Sequence, residues 1–328
     1  MIMKLSGTKC ITLTVAVIFV LLVSPISPVH AEAASEKVRI GGYPINIELY
    51  AEGPVVSSVS GDADSGMCTN VRKGDIITEI NGISVSDMSD IDAILESDDL
   101  AIPVVLAVLR GGTRICCSAV PRRAHGGKLS LGMTFKEGVS GLGTVTFSRS
   151  DGSYRALGHA ITDASGGRIE ASYGYVYDTD IIGVKLPSGE SAGRLIGRRN
   201  GNEPVGNILE NDMFGIEGMF FDAREDKEFE VLSHDKVHTG KAAIYTTVGA
   251  RRVKYDIEIV KTSRSSEPGE KSMVIRMTDP ELLSVTGGIL QGMSGSPIVQ
   301  DGKLAGAVTH VFTGDPSRGY GVYAEWML

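Results

Sequence analysis

Cysteine and tryptophan are scarce in this chain of 328 residues, which holds four of the first and one of the second. No two cysteines stand in a C-x-x-C spacing, so neither a zinc knuckle nor a thioredoxin-like redox site finds support. Cys10 falls in an apolar N-terminal stretch, which leaves Cys68, Cys116 and Cys117. One disulfide from Cys68 to either neighbour, or unpaired buried thiols, are the two readings. Excess positive charge is missing too: 32 Lys and Arg against 40 Asp and Glu give 32 − 40 = −8, which argues against a nucleic-acid partner. No long run of like charge, internal repeat or low-complexity tract interrupts the chain, and no long helical pattern follows Leu131. What abounds is glycine, 41 residues, beside a hydrophobic content of 42 %. That balance suits short strands and tight turns around an ordinary core, and the length suggests about two domains at roughly 150 residues each.

The N-terminus stands apart. Lys4 and Lys9 precede the apolar residues 10–23, and small residues follow to "VHA", ending at Ala31. A basic start, a short apolar core and a small-residue end describe a secretory signal. A retained membrane anchor is the alternative, although the run is shorter than the roughly 20 residues a spanning helix prefers. Both readings for residues 1–31 export the rest of the chain.

Residues 38–121 read as a small β-rich unit. "YPINIELYA" and "GPVVSSVS" have the look of strands, "KGDIITEINGISV" turns at Asn81-Gly82, and "SDMSDIDAILES" carries Met88, Ile91, Ile94 and Leu95 at helical spacing behind a capping Asp or Ser. "IPVVLAVLRGGTRICCSAV" then gives two strands about a Gly-Gly turn. This order resembles a PDZ domain, with "KGDIITEING" its most specific part. The resemblance implies capture of an extended peptide as an added strand, with Gly42, Tyr43, Pro44 and Ile45 in the place of the carboxylate-binding loop. Pro44 has no N–H to offer there, so an internal peptide segment is as good a ligand as a free C-terminus. Such a unit can also serve purely for interdomain packing.

Residues 122–130, with adjacent arginines and adjacent glycines, read as a linker. From 131 to 328, strand-like segments such as "GRLIGRR", "KAAIYTTVG", "VKYDIEIVKT" and "SMVIRMT" alternate with glycine-rich turns, the pattern of an antiparallel barrel or a pair of them.

"GGILQGMSGSPIVQDGKLAGAVTHVF", residues 287–312, places Ser294 between Gly292 and Gly295. A nucleophile on a sharp turn needs such flexibility, and the backbone N–H groups of Gly292 and Ser294 would face a developing oxyanion. Ser296 is the rival hydroxyl; a plain structural bend is the rival explanation. Of six histidines, His159 in "YRALGHAITD" is the best-placed base, following an apolar strand; His310 sits in the apolar "AGAVTHVF" and reads as structural. Asp279 in "VIRMTDPELL" offers a carboxylate to orient the base, and Asp163, four residues after His159, is its competitor.

"LGHAITD", "TDPELLSVTGGILQGMSGSPIVQDGKLAGAVTHVF" and "DPSRGYGVYAEWML" together resemble the SpoIVB family of serine peptidases, named for the stage IV sporulation protein B of endospore-forming bacteria. The resemblance implies a mainly β chain, an N-terminal PDZ-like domain followed by a chymotrypsin-like double β-barrel, with His159 as general base, Asp279 as its orienting carboxylate and Ser294 as nucleophile. It implies an endopeptidase needing no metal or cofactor, exported across the forespore membrane into the intermembrane space, soluble or anchored at its N-terminus. There it would cut itself and then the extracytoplasmic part of a membrane-bound regulator of an intramembrane protease, leading to activation of a late sigma factor. A quality-control protease of the HtrA type, or an adaptor with a dead barrel and a working PDZ unit, are the alternative classes.

Overall fold

The computed structural model describes residues 36–59, 68–97, 99–123, 127–162, 166–169, 171–189 and 191–328. The expected export segment 1–31, with Cys10 and His30, lies outside them, as do His125 and Asp163.

Strict alternation builds the first barrel. In the strand Pro44–Val59, Ile45, Ile47 and Leu49 are buried while Asn46, Glu48 and Tyr50 between them are half-exposed, the period-two pattern of a sheet with one face on a core. This strand pairs antiparallel with Met133–Ser148 on one side and Ala171–Lys185 on the other. Ser153–Leu157, Gly215–Phe220 and Gly206–Asp212 complete the circuit, so six strands close on themselves around Val145, Tyr154, Val176, Ile208 and Ile216. The second barrel closes in the order Gly240–Thr247, Arg252–Thr262, Met273–Met277, Asp315–Tyr323, Lys303–Phe312, Pro297–Gln300. Its interior holds Ile244, Ile257, Ile259, Ile275, Ile298 and Val308. Mainly β with two barrels is therefore the architecture, as the sequence pattern implied.

The PDZ-like unit sits inside the first barrel's chain path rather than ahead of it. The far end of Pro44–Val59 leaves the barrel and pairs through Val55 with Ile76 of the strand Ile76–Ile80, which continues to Val104–Arg110 and Thr113–Ala119. The expected helix spans Met88–Leu95, capped by Asp87 in a capping box with Asp90, and buries Ile91, Ile94 and Leu95. Asp75 of the "KGD" motif is buried and accepts both arms of a fork from Arg110, at 2.7 Å each. Leu131 and Met133, on the far side of the expected linker, complete this core. The return strand, Met133–Ser148, meets Val55–Val59 at its start and the barrel at its end. Two strands thus run unbroken through both units. Cys116 and Cys117 are free thiols, the first exposed and the second buried, and burial pushes the Cys117 thiol up.

Because the strands are shared, the PDZ-like core and the first barrel should unfold together. Leu106→Ala, at a fully buried PDZ-like position, should cost about 2–5 kcal/mol. Amide hydrogen exchange should then show loss of protection at residues 142–147 of the barrel as well as around Leu106.

Candidate active site

Ser294 lies in the loop between a short helix, Pro280–Thr286, and the strand Pro297–Gln300. The loop is pinned by the other barrel. A side chain on Gly295 would begin 2.0 Å from the Thr144 carbonyl oxygen and 2.5 Å from the Leu157 nitrogen, so only glycine allows the approach. Gly292, at φ 98°, turns the chain where other residues are strained. Thr144 and Thr146, buried on the long strand, donate their hydroxyls to the carbonyls of Gly292 (2.7 Å) and Gly295 (2.8 Å), and the Thr144 N–H donates to the Ser294 carbonyl (2.9 Å). These contacts turn the loop's carbonyls toward the first barrel. Among the described residues, the N–H groups of Gly292 and Ser294 have no acceptor. Ser296, the rival hydroxyl, is fully buried and donates to Thr246 at 3.0 Å, a structural bond.

His159 comes from the first barrel, just past Ser153–Leu157. Leu157 itself takes φ 76°, a left-handed conformation that costs a non-glycine residue about 1–3 kcal/mol and is held here by pairing with Gly215. The His159 Nδ1 lies 2.9 Å from the Ala160 carbonyl. A carbonyl can only accept, so Nδ1 carries the proton and the Nε2 lone pair is free. Buried Asn211 braces the segment that follows: its Oδ1 accepts from the Ile161 N–H at 2.8 Å, and its Nδ2 donates to the carbonyls of Ile161 (2.9 Å) and Ile169 (2.8 Å).

His159 and Ser294 line one cleft between the barrels, about 360 Å³ in volume, with Leu142, Leu157, Ile289 to Gly292, and Thr309 to Val311. The Ser294 hydroxyl donates to the Thr309 carbonyl at 2.7 Å rather than to His159. His310, read from sequence as structural, is in the cleft: its ring packs on that of His159, centroids 4.5 Å apart and tilted by 36°. Burial, then the neighbouring His159 and Lys271, push its pKa down to about 4, so it is neutral at pH 7.

Asp279 is elsewhere. It is the N-cap of the helix Pro280–Thr286, its Oδ1 accepting from the N–H groups of Glu281 (2.9 Å) and Leu282 (3.1 Å) and its Oδ2 from that of Asp256 (3.3 Å). It does not line the cleft, and no hydrogen bond joins it to His159 among the described residues. The local signal for this was in "TDPELL": Asp before Pro at a first helical position is a helix start. The loop Gly42–Ile45 also corrects the expectation. It is packed between the barrels, with the Gly42 N–H donating to Val145 O (2.7 Å), the Gly42 carbonyl accepting from Thr247 Oγ1 (2.9 Å), the Tyr43 hydroxyl donating to Asp226 (2.5 Å) and Pro44 and Ile45 paired in the barrel. Gly42, Pro44 and Ile45 are buried there, and the Gly42 N–H and carbonyl are already bonded.

The family model for SpoIVB peptidase S55 matches residues 127–328, and that for the PDZ domain matches residues 34–108. A comparison with curated proteins returned no match. Among solved structures, the chain is similar to an HtrA-type protease, AlgW, with tripeptide (14 % identity, 57 % of this chain and 53 % of that one, TM-score 0.32). It is similar also to AlgW with decapeptide (12 % identity, 88 % and 62 %, TM-score 0.36). A third is the Rv3671c protease of M. tuberculosis H37Rv in an inactive form (15 % identity, 57 % and 80 %, TM-score 0.34). The chain spans about half, 54 %, of the length of another AlgW structure that it matches.

Asp279→Ala should lower stability by about 1 kcal/mol through loss of the cap, and Asp279→Asn should restore most of it; thermal melts of the three proteins check this. The unfolded chain protonates a histidine at its ordinary value of 6.5, whereas folded His310 resists until about 4. Its contribution to stability is complete above pH 6.5 and is lost as the pH falls through 4. Urea midpoints should therefore drop between pH 7 and pH 5, and less steeply in His310→Phe.

Proposed function

This chain belongs to the SpoIVB peptidase S55 family, and from that premise we propose that it is a serine endopeptidase working through Ser294 and His159. The observation that supports the pair is their shared cleft, with the base and the hydroxyl supplied by different barrels. On substrate binding, the Ser294 hydroxyl leaves the Thr309 carbonyl and donates to the free Nε2 of His159. Oγ then attacks the peptide carbonyl carbon as the proton passes to Nε2. Negative charge gathers on the former carbonyl oxygen, where the unpartnered N–H groups of Gly292 and Ser294 receive it. The imidazolium gives its proton to the leaving amine, the C–N bond breaks, and an acyl-enzyme remains. Water, deprotonated by the same imidazole, hydrolyses the ester and returns Ser294. The Ala160 carbonyl keeps the proton of His159 on Nδ1, the tautomer-fixing task assigned from sequence to Asp279. Asp279 then acts on the helix and not on the base.

The family kinship further supports export across the forespore membrane, self-cleavage near the N-terminus, and a substrate in the extracytoplasmic part of a membrane-bound regulator of an intramembrane protease. That cleavage would start late sigma-factor activation during sporulation. The peptides in the AlgW structures accord with a peptide or protein substrate for this cleft.

A fluorophosphonate should label the purified protein at Ser294, located by sequencing the labelled peptide. Ser294→Ala and His159→Ala should each lose peptidase activity by on the order of 10^4-fold or more with unchanged circular dichroism. Full activity in Ser294→Ala would sink the assignment.

A further inference from the structure

His310 contributes more to the cleft than a wall. Among the described residues its Nδ1 is sealed from solvent without a hydrogen-bond partner. Its Nε2 is not among such sealed, unpartnered atoms and is bonded to nothing described, while the residue itself lines the cleft. Orphaned buried N–H groups are rarer in folded proteins than under-satisfied acceptors. A neutral imidazole placed this way therefore leaves a bare lone pair on the buried Nδ1 and carries its proton on Nε2, toward the substrate. Burial and two cationic neighbours, Lys271 and His159 when it holds the transferred proton, keep the ring neutral at working pH. The backbone fixes its position: His310 directly follows Thr309, whose carbonyl holds the Ser294 hydroxyl, and its ring lies on the ring of the base.

We propose that His310 is a specificity-determining residue, whose Nε2–H donates a hydrogen bond to an acceptor oxygen on the substrate side chain lying against the His159–His310 pair. The inference rests on the peptidase reading and deepens it by naming the substrate class. Glutamate and glutamine supply an oxygen acceptor, and the Lys271 ammonium nearby favours the acid of the two. Lysine and arginine side chains have no acceptor and meet an N–H and a cation. Alanine makes no contact. A neutral donor left unpaired on binding the wrong side chain is costly, which is how one hydrogen bond discriminates strongly.

The test is a set of internally quenched peptides with one sequence, varied at a single residue near the scissile bond among Glu, Gln, Ala and Lys, with each residue in turn taken as the varied one. The wild-type chain should show kcat/KM for Glu or Gln at one position at least about tenfold above that for Ala and for Lys. In His310→Phe, which keeps a ring against His159 but offers no donor, that ratio should collapse toward one, with the change carried in KM. His310→Gln, which regains an N–H donor, should recover part of it. A wild-type chain without the preference, or a His310→Phe variant that retains it, overturns the proposal. So does a uniform loss across all four peptides, which would mean that His310 acts through His159. Fluorophosphonate labelling run alongside separates the two levels: labelling at Ser294 without selectivity sinks this inference alone, and absence of labelling sinks the peptidase reading and this one with it.

Discussion

The site depends on one close approach, that of Gly295 to the strand Met133–Ser148. With no side chain at 295, the strand's backbone can press against the nucleophile loop, and Thr144 and Thr146 take up the loop's carbonyls. Those bonds do two things at once. They join the barrels beside the cleft of Ser294 and His159, and they turn the peptide units so that the N–H groups of Gly292 and Ser294 have no acceptor among the described residues. His159 reaches the same place because the neighbouring strand ends at Leu157 in a strained turn, itself against Gly295. Ser294, His159 and the N–H groups of Gly292 and Ser294 are thus brought to one cleft by a single packing contact between two sheets.

Charge in the cleft is arranged sparingly. The His159 ring is held by a neutral carbonyl, and burial keeps the His310 imidazole uncharged at pH 7. In a partly buried cleft, where electrostatic interactions are stronger than in water, a charged His310 would oppose the proton transfer proposed for His159. The two tilted rings sit in different environments: His159 with its Nδ1 on the Ala160 carbonyl, His310 with its Nδ1 sealed from solvent.

Much of this was legible in the residues. Alternating apolar positions identified the strands, the glycine-flanked Ser294 and His159 stood out by motif and position, and both reach the cleft. What the text hid was non-local. Nothing in "YPINIELYAEGPVVSSV" says that its first half pairs with residues about ninety positions later, in a barrel, while its second half belongs to the PDZ-like sheet. Read by itself, the segment supplied a plausible peptide-binding loop at Gly42–Ile45, which burial between the barrels rules out. Asp279 differs for the opposite reason: its meaning is local, a helix cap written in "TDPELL", and not that of a group oriented toward His159. The apolar context of His310 reads as core, whereas its strand rises from the core to the cleft within two residues of buried Val308. Asn211 gave no signal at all, since a bracing asparagine is recognised only from the loop that it holds.

Because the PDZ-like unit hangs on the two strands that close the first barrel, it is not a module that evolution or an engineer can lift out and graft elsewhere. Cutting at either end would remove a stave from the barrel itself. Any tug or clamp on that unit acts on a continuous backbone that ends against the loop of Ser294, crossing on the way the register shift between Lys136 and Gly138.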